Sequence, residues 1–372
     1  MIEGIPLGRP SVGEAELAAV ADVFASGWLS GAGPACRRFE EAFASATGTG
    51  HALATSSCGS ALFLGLRVLK VRPGDEVIVG DYTFPATGHA VVQAGATPVF
   101  ADVRPDSFCA DPAAVEAAVT SRTVGIIAVD VAGQPGDFDD YRAIASRHGL
   151  WLFEDAACSV GATYRTRPAG SLADLAAFSF HGRKGITAGE GGALVSDRAG
   201  EIERARRLHT YGVEPALSRR QVVPAFEEIG YNFRLSDVQA AILTVQLERL
   251  PALLAARRSV ARRYHEGFAG LPGVTVPAEL PDREHPWQSY LLLLSPGMDR
   301  DRVVTALRAR GIQCTFGTYA SHLQPVYGKR DPLPVSAGLF RRHLALPMHA
   351  GLTAEQVDRV IEAVREEIAT CG

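Results

Sequence analysis

Between residues 50 and 200, short apolar runs alternate with segments of helical pattern, and this rhythm limits the fold more than any other feature of the chain. The runs cover residues 51–56, 76–79, 97–101, 124–130, 150–155, 174–180 and 192–196, with helix-like stretches such as 59–69, 113–119 and 138–148 between them. Short apolar strands that alternate with helices predict a largely parallel sheet covered on both faces. Ser11-x-x-Glu14 reads as a capping box ahead of this block. It would open a helix whose apolar face is Leu17, Val20, Ala21 and Phe24, with Gly27 ending it.

After about residue 235 the rhythm changes. A long helical stretch, 236–263, is broken near Pro251; a strand (287–294), a helix (301–310) and a short strand (312–315) follow. The chain closes on a helix capped by Thr353 and Gln356, with the stripe Val357, Val360, Ile361, Val364 and Ile368. The expected class is therefore α/β: a large domain over 1–248 and a smaller α+β domain over 249–372, packed together.

The formal charge of −4 argues against a nucleic-acid partner, and no apolar run is long enough to span a bilayer. The opening MIEGIPLGRP lacks the basic-then-apolar layout of a secretory signal, so a cytoplasmic protein is expected. Cys36, Cys58, Cys109, Cys158, Cys314 and Cys371 are scattered without C-x-x-C spacing, and the histidines form no H-E-x-x-H. Reduced thiols and no metal are the expectation.

Ligands of open parallel sheets bind beyond the carboxyl ends of the strands. After the first strand, Ser57-Cys58-Gly59-Ser60-Ala61 leads into a helix, the usual arrangement for a phosphate, although a plain glycine turn reads the same way. After 150–153 come Glu154-Asp155-Ala156-Ala157, where a carboxylate would need a cationic partner or solvent. After 176–178 come Ser179-Phe180-His181-Gly182-Arg183-Lys184 and then Gly189-Glu190-Gly191-Gly192. Of the chain's 37 basic residues only Lys70, Lys184 and Lys329 are lysines, and Lys184 alone stands among glycines at a strand end. Lysine forms Schiff bases once burial lowers its pKa. A phosphate turn, a carboxylate and a lysine at successive strand ends match the needs of pyridoxal phosphate.

On these residues the chain resembles the DegT/DnrJ/EryC1/StrS family of sugar aminotransferases, which have the fold type I architecture. The likeness starts at Ile5-Pro6-Leu7-Gly8-Arg9-Pro10 and runs through Gly59-Ser60-Ala61-Leu62, Tyr82-Thr83-Phe84 and Glu154-Asp155-Ala156-Ala157 to the Lys184 loop. Tyr231-Asn232-Phe233-Arg234-Leu235-Ser236-Asp237, His322-Leu323-Gln324-Pro325 and Leu346-Pro347 extend it. The resemblance implies that Lys184 holds the cofactor and then moves the proton between substrate and cofactor carbons, while Asp155 pairs with the ring nitrogen. Gly59, Ser60, Ala61 and Ser179 would bind the phosphate, with Asn232 reaching it from the neighbouring subunit of a homodimer, and Phe84 would stack on the ring. Cys158 stands where the family usually has glutamine, which puts the contact to the ring hydroxyl in question.

The resemblance is nearest to members that aminate the 4-keto carbon of nucleotide-linked 6-deoxysugars, the perosamine-synthase type. It implies L-glutamate as donor and a cofactor that alternates between pyridoxal and pyridoxamine phosphate. His181, Tyr211, Arg234, Tyr319 and His322 are the candidate substrate contacts, with Arg183 and Arg219-Arg220 as further cations for a diphosphate. The alternatives are an aminotransferase acting on a cyclitol ketone of the scyllo-inosose type, or a regulatory member without turnover. Lys184 and Asp155 together argue against the latter.

Overall fold

A computed structural model describes residues 4–213, 223, 225–226 and 228–370. Its centre is a seven-stranded sheet. In chain order the strands are β1 (His51–Thr55), β2 (Glu76–Gly80), β3 (Thr97–Ala101), β4 (Thr123–Val129), β5 (Trp151–Asp155), β6 (Leu175–Ser179) and β7 (Gly192–Ser196). In space they run β1-β7-β6-β5-β4-β2-β3. Every pairing from β6 to β3 is parallel, whereas β7 is antiparallel to both of its neighbours. That reversal matters for the site, because Gly192, the first residue of β7, lies opposite both Thr55 and Ser179, the last residues of β1 and β6. Four chain segments thus meet at one sheet edge, the fourth being the end of β5 at Asp155.

Alternate side chains along each strand face opposite layers. Leu53, Phe153, Ala177 and Leu194 pack with Leu62 and Leu66 of helix Cys58–Val68 on one side. On the other, Phe178 and Phe180 meet Phe39 and Phe43 of helix Pro34–Thr47 edge-on, at centroid distances of 4.9–5.4 Å. These four rings are fully buried, each contributing about 1.5–3 kcal/mol.

The opening helix, Glu14–Ser26, departs from expectation. Its N-cap is Gly13, whose N–H donates to the Glu16 carboxylate at 2.8 Å. Ser11 instead accepts from Arg249 at 3.1 Å, because Arg249 and Gln246 converge on Glu16 and draw Ser11 away from the helix end. The inward face is Glu16 and Val23, while Leu17 and Phe24 are 69% and 61% exposed in the single chain. Gly27 ends the helix in the left-handed region, φ 73°.

The expected 236–263 stretch is two helices, Asp237–Glu248 and Leu250–Phe268, that meet at 62°. Pro251 occupies the first turn of the second, where proline costs nothing, so it starts a helix and does not kink one. Beyond it lies a four-stranded sheet in the order Val274–Thr275, Tyr290–Leu294, His343–Leu346, Thr315–Phe316. The strand expected from 287 begins only at Tyr290, since Trp287 has φ 52° and stacks on His285 at 4.1 Å. Ile312 forms an isolated parallel bridge with Ile5, which brings the chain's N-terminal segment into this second core.

The two parts are tied by Tyr82–Thr83 pairing with Tyr319–Ala320, and by buried Asp81, which accepts from the His322 N–H (2.6 Å), His322 Nδ1 (2.7 Å) and the Ser336 hydroxyl. Among the described residues no single helix is long and apolar enough to cross a membrane.

Candidate active site

At the β1 end, the chain turns at Ser57 into helix Cys58–Val68. Ser57 Oγ caps the helix by accepting from Ser60 N at 3.0 Å, and Ser60 Oγ lies 3.0 Å from both Ser56 Oγ and Ser57 Oγ. Three hydroxyls therefore gather at the positive end of a helix dipole, beside the first-turn N–H groups that a helix leaves unpaired. Ala61 does not join them: its side chain is fully buried and its N–H bonds back to Ser57 O at 3.1 Å. The segment carrying Asn232 flanks the turn, with Phe233 O accepting from Ser56 N at 2.7 Å and the Tyr231 and Phe233 rings stacked at 5.1 Å. Asn232 lies exposed between them.

Gly192 presses on this turn from β7. A Cβ there would lie 2.4 Å from Ser57 C and 2.5 Å from Cys58 N, so any side chain must displace the turn. Overpacking of this kind costs about 1–3 kcal/mol. Gly192→Ala is therefore expected to weaken cofactor binding roughly tenfold or more, at unchanged spectrum of what does bind. Cofactor titration by fluorescence quenching checks this, and wild-type affinity would overturn it.

At the β5 end, Asp155 is buried and accepts from Thr87 Oγ1 at 2.5 Å and Ala157 N at 3.2 Å. Burial raises its pKa, opposed by those two bonds and by the charge of Lys184. Thr87 was not foreseen, because only the packing of helix Ala86–Gln93 over the sheet edge brings it there. Behind Asp155, Glu154 accepts from Gly170 N at 2.9 Å and shares its surroundings with Asp130, which accepts from Ser159 Oγ at 2.6 Å. Burial also raises both of these carboxyls. A carboxyl that holds its proton more tightly when folded adds stability below its unfolded pKa and loses it as pH rises through the folded one. The stability contributed by these two carboxyls in the cofactor-free protein should accordingly fall from about pH 4.5 towards neutrality, by up to about 1.4 kcal/mol per pH unit for each such proton. Glu154→Gln should flatten that fall in urea unfolding at stepped pH, and an unchanged slope would overturn the assignment.

Lys184 follows β6 in a loop clipped by Gly182 N→Gly189 O (2.9 Å) and Phe180 N→Gly191 O (2.9 Å). Its Nζ donates to Cys158 Sγ at 3.1 Å. Burial pulls the lysine pKa down, yet Cys158, Cys58 and Asp155 outweigh it and the net direction is up. The expectation that burial alone frees the amine is thereby corrected: acidic neighbours hold its proton. Buried Arg257 fixes the backbone here, donating to Lys184 O (3.1 Å) and to the carbonyls of Trp287 (3.1 Å) and Gln288 (3.3 Å). The sequence carries a signal for it, an arginine on the apolar stripe Leu253, Leu254, Val260, Ala261 and Tyr264.

Ser179, buried, ends β6 beside Gly192. Phe84 is 64% exposed and meets the Tyr319 ring at 6.0 Å. Arg234 lies over the Tyr211 ring at 5.4 Å, and His181 Nε2 is 4.0 Å from Glu190. His322 is not available as a sugar contact through Nδ1, since Asp81 engages it in the tie between the two parts. Arg219-Arg220 lie outside the described residues.

The donor set suits pyridoxal phosphate. Hydroxyls at a helix N-terminus fit a phosphate, a buried carboxylate within the field of Lys184 fits a pyridinium, and an amine fits an aldehyde. Comparison with known proteins agrees. The model of the DegT/DnrJ/EryC1/StrS aminotransferase family matches residues 10–365. The spore coat polysaccharide biosynthesis protein SpsC of Bacillus subtilis is 36% identical, over 97% of this chain and 96% of its own. The crystal structure of S. venezuelae DesV in complex with a ketimine intermediate superposes with a TM-score of 0.88 at 39% identity, covering 95% of this chain and 94% of that one. DesI, determined in the presence of its TDP-sugar product, gives 0.92 at 34% identity, covering 99% and 94%. The chain belongs to the DegT/DnrJ/EryC1/StrS family and is a pyridoxal-phosphate-dependent aminotransferase.

Proposed function

We propose that the enzyme moves an amino group from L-glutamate to the C4 keto carbon of a nucleoside-diphosphate-linked 4-keto-6-deoxyhexose. The likeness to DesI across 99% of the chain, together with that protein's TDP-sugar product, supports the nucleotide-linked sugar in this reading, and the C4 position and the glutamate donor follow from the resemblance of the Lys184 loop. Bound pyridoxal phosphate supplies an electron sink for the carbon that exchanges its proton. Ser57, Ser60, Ser179 and the first-turn N–H of Gly59 hold its phosphate. Asp155 keeps a proton on the ring nitrogen, and Thr87 orients that carboxylate. Phe84 covers the ring face, and Lys184 Nζ carries the proton to and from the reacting sugar carbon. Arg183 and Arg234 supply cations for the diphosphate, and His181, Tyr211 and Tyr319 line the sugar end.

The site is completed in a homodimer of this reading. Leu17, Phe24, Trp28 and Leu29 leave apolar surface around the opening helix uncovered in the single chain, and exposed Asn232 would reach the phosphate of a second subunit. Sedimentation of the holoenzyme as two chains is expected; a stable monomer with full activity sinks it.

For the substrate, the glutamate-loaded amine form would be mixed with nucleotide-linked 3- and 4-ketosugars and with an inosose, following the return of the lysine-bound cofactor's absorbance. Return with the 4-ketosugar, blocked by free nucleoside diphosphate, is expected. Return with the inosose alone replaces the sugar reading by the cyclitol one.

A further inference from the structure

The thiol of Cys158 is the hydrogen-bond acceptor of Lys184 Nζ at 3.1 Å. We propose that Cys158 and Lys184 form an oxidisable thiol–amine pair, closed by peroxide into a reversible S–N crosslink that removes the amine while the cofactor is absent. The step from crosslinking to loss of cofactor capture rests on the reading of Lys184 as the cofactor lysine.

Geometry supports the pair from both sides. Cys158 sits in the tight turn after β5, where Ala156 N bonds Ala177 O (2.9 Å) and Ser159 N bonds Ala156 O (3.1 Å). Lys184 is fixed by its N–H to His181 O (2.8 Å) and by Arg257 on its carbonyl. Neither group must travel far to react, so the effective concentration of one for the other is high. Both are partly exposed, which admits a small peroxide. Cys36, Cys109 and Cys314 are buried, and burial pushes the thiols of all three upward. Cys58 is partly exposed, but its pKa is also raised, by burial first and then by Asp155. Among these thiols it is Cys158 whose sulfur accepts from the Lys184 amine, at 3.1 Å.

The chemistry balances in two steps. The Cys158 thiolate displaces hydroxide from hydrogen peroxide, so sulfur loses two electrons to the O–O bond and becomes a sulfenic acid. The hydroxide released takes the proton of the Lys184 ammonium and becomes water, and the free amine then attacks that sulfur. The S–O bond breaks, and the oxygen leaves as water with one amine proton. Together the protein loses two hydrogens, and one peroxide becomes two waters. Two equivalents of a thiol reductant return thiol and amine and leave as a disulfide.

Cofactor-stripped protein treated with hydrogen peroxide should give, on proteolysis, the Cys158 and Lys184 peptides joined at their summed mass less two hydrogens. The joined species should be lost with dithiothreitol, and absent from holoenzyme treated alike and from Cys158→Ser. Cofactor capture should fall in proportion to the joined fraction and return with reductant, while Cys158→Ser keeps its own capture after peroxide. A Cys158–Cys58 disulfide, or sulfinic acid at Cys158 with no joined peptide, overturns the proposal. Should Cys158→Ser fail to fold, Lys184→Arg is the second control, and a joined species at position 184 there overturns it equally. A joined peptide with undiminished capture leaves the crosslink standing and rejects Lys184 as the cofactor lysine.

Discussion

Lys184→Ala is expected to abolish the absorbance of lysine-bound cofactor and to lower turnover by about a thousandfold or more, since in the proposed mechanism it removes both the covalent anchor and the proton carrier. The effect should be confined to chemistry. Arg257 holds the loop through the Lys184 carbonyl, and the Gly182–Gly189 and Phe180–Gly191 bonds are backbone contacts as well, so truncation leaves the loop's restraints in place. Cofactor phosphate should still bind at the Ser57–Ser60 turn, so affinity for the pyridoxamine form should change far less than turnover. A small primary amine added to the medium should restore part of the rate, by taking the place of the lost Nζ beside Cys158. Spectral titration and steady-state kinetics check both arms. A variant with wild-type absorbance would show that another group anchors the cofactor.

Much of this site was legible in the sequence because it is local. Strand ends carry Asp155 and Ser179, a turn carries Ser60, and a glycine loop carries Lys184. Each is announced by a change from apolar run to small or polar residues. What was not legible depends on parts distant along the chain. Thr87 reaches Asp155 only because helix Ala86–Gln93 crosses the sheet edge, and Arg257 meets Lys184 only through the fold of the second part. The outward turn of Leu17 and Phe24 has a similar origin. The spacing of apolar residues on the opening helix is genuine, but Glu16 is drawn inward by Arg249 and Gln246, which rotates those side chains to the surface. Periodicity shows that an apolar face exists and leaves open which neighbour covers it. For β7 the sequence pattern was blind to direction, since a short buried strand reads alike either way. Yet its antiparallel course is what brings Gly192 against Ser57 and Cys58.

Asp155→Asn should move stability and activity in opposite directions. In the cofactor-free protein this carboxylate is buried with one hydroxyl, one N–H and the charge of Lys184 for company, and burial raises its pKa. Folding therefore makes this carboxyl hold a proton more tightly than it does in the unfolded chain. The contribution is present below the usual carboxylate range and declines as pH rises through the raised value. Asparagine keeps the shape and an acceptor for Thr87 while removing the charge, so the cofactor-free variant should be at least as stable as wild type at neutral pH. Turnover should fall roughly a hundredfold or more, the scale of the about 3 kcal/mol lost when one partner of a buried ion pair is removed. The ring nitrogen would then lack a carboxylate to keep its proton, weakening the electron sink. Thr87→Val should show a smaller loss of rate, because it frees the carboxylate's orientation and leaves its charge. Denaturant unfolding of the cofactor-free proteins, set beside single-turnover rates, separates the two effects. If Asp155→Asn lost stability and kept its rate, Asp155 would be a structural carboxylate, and the ring nitrogen would have to find its partner elsewhere.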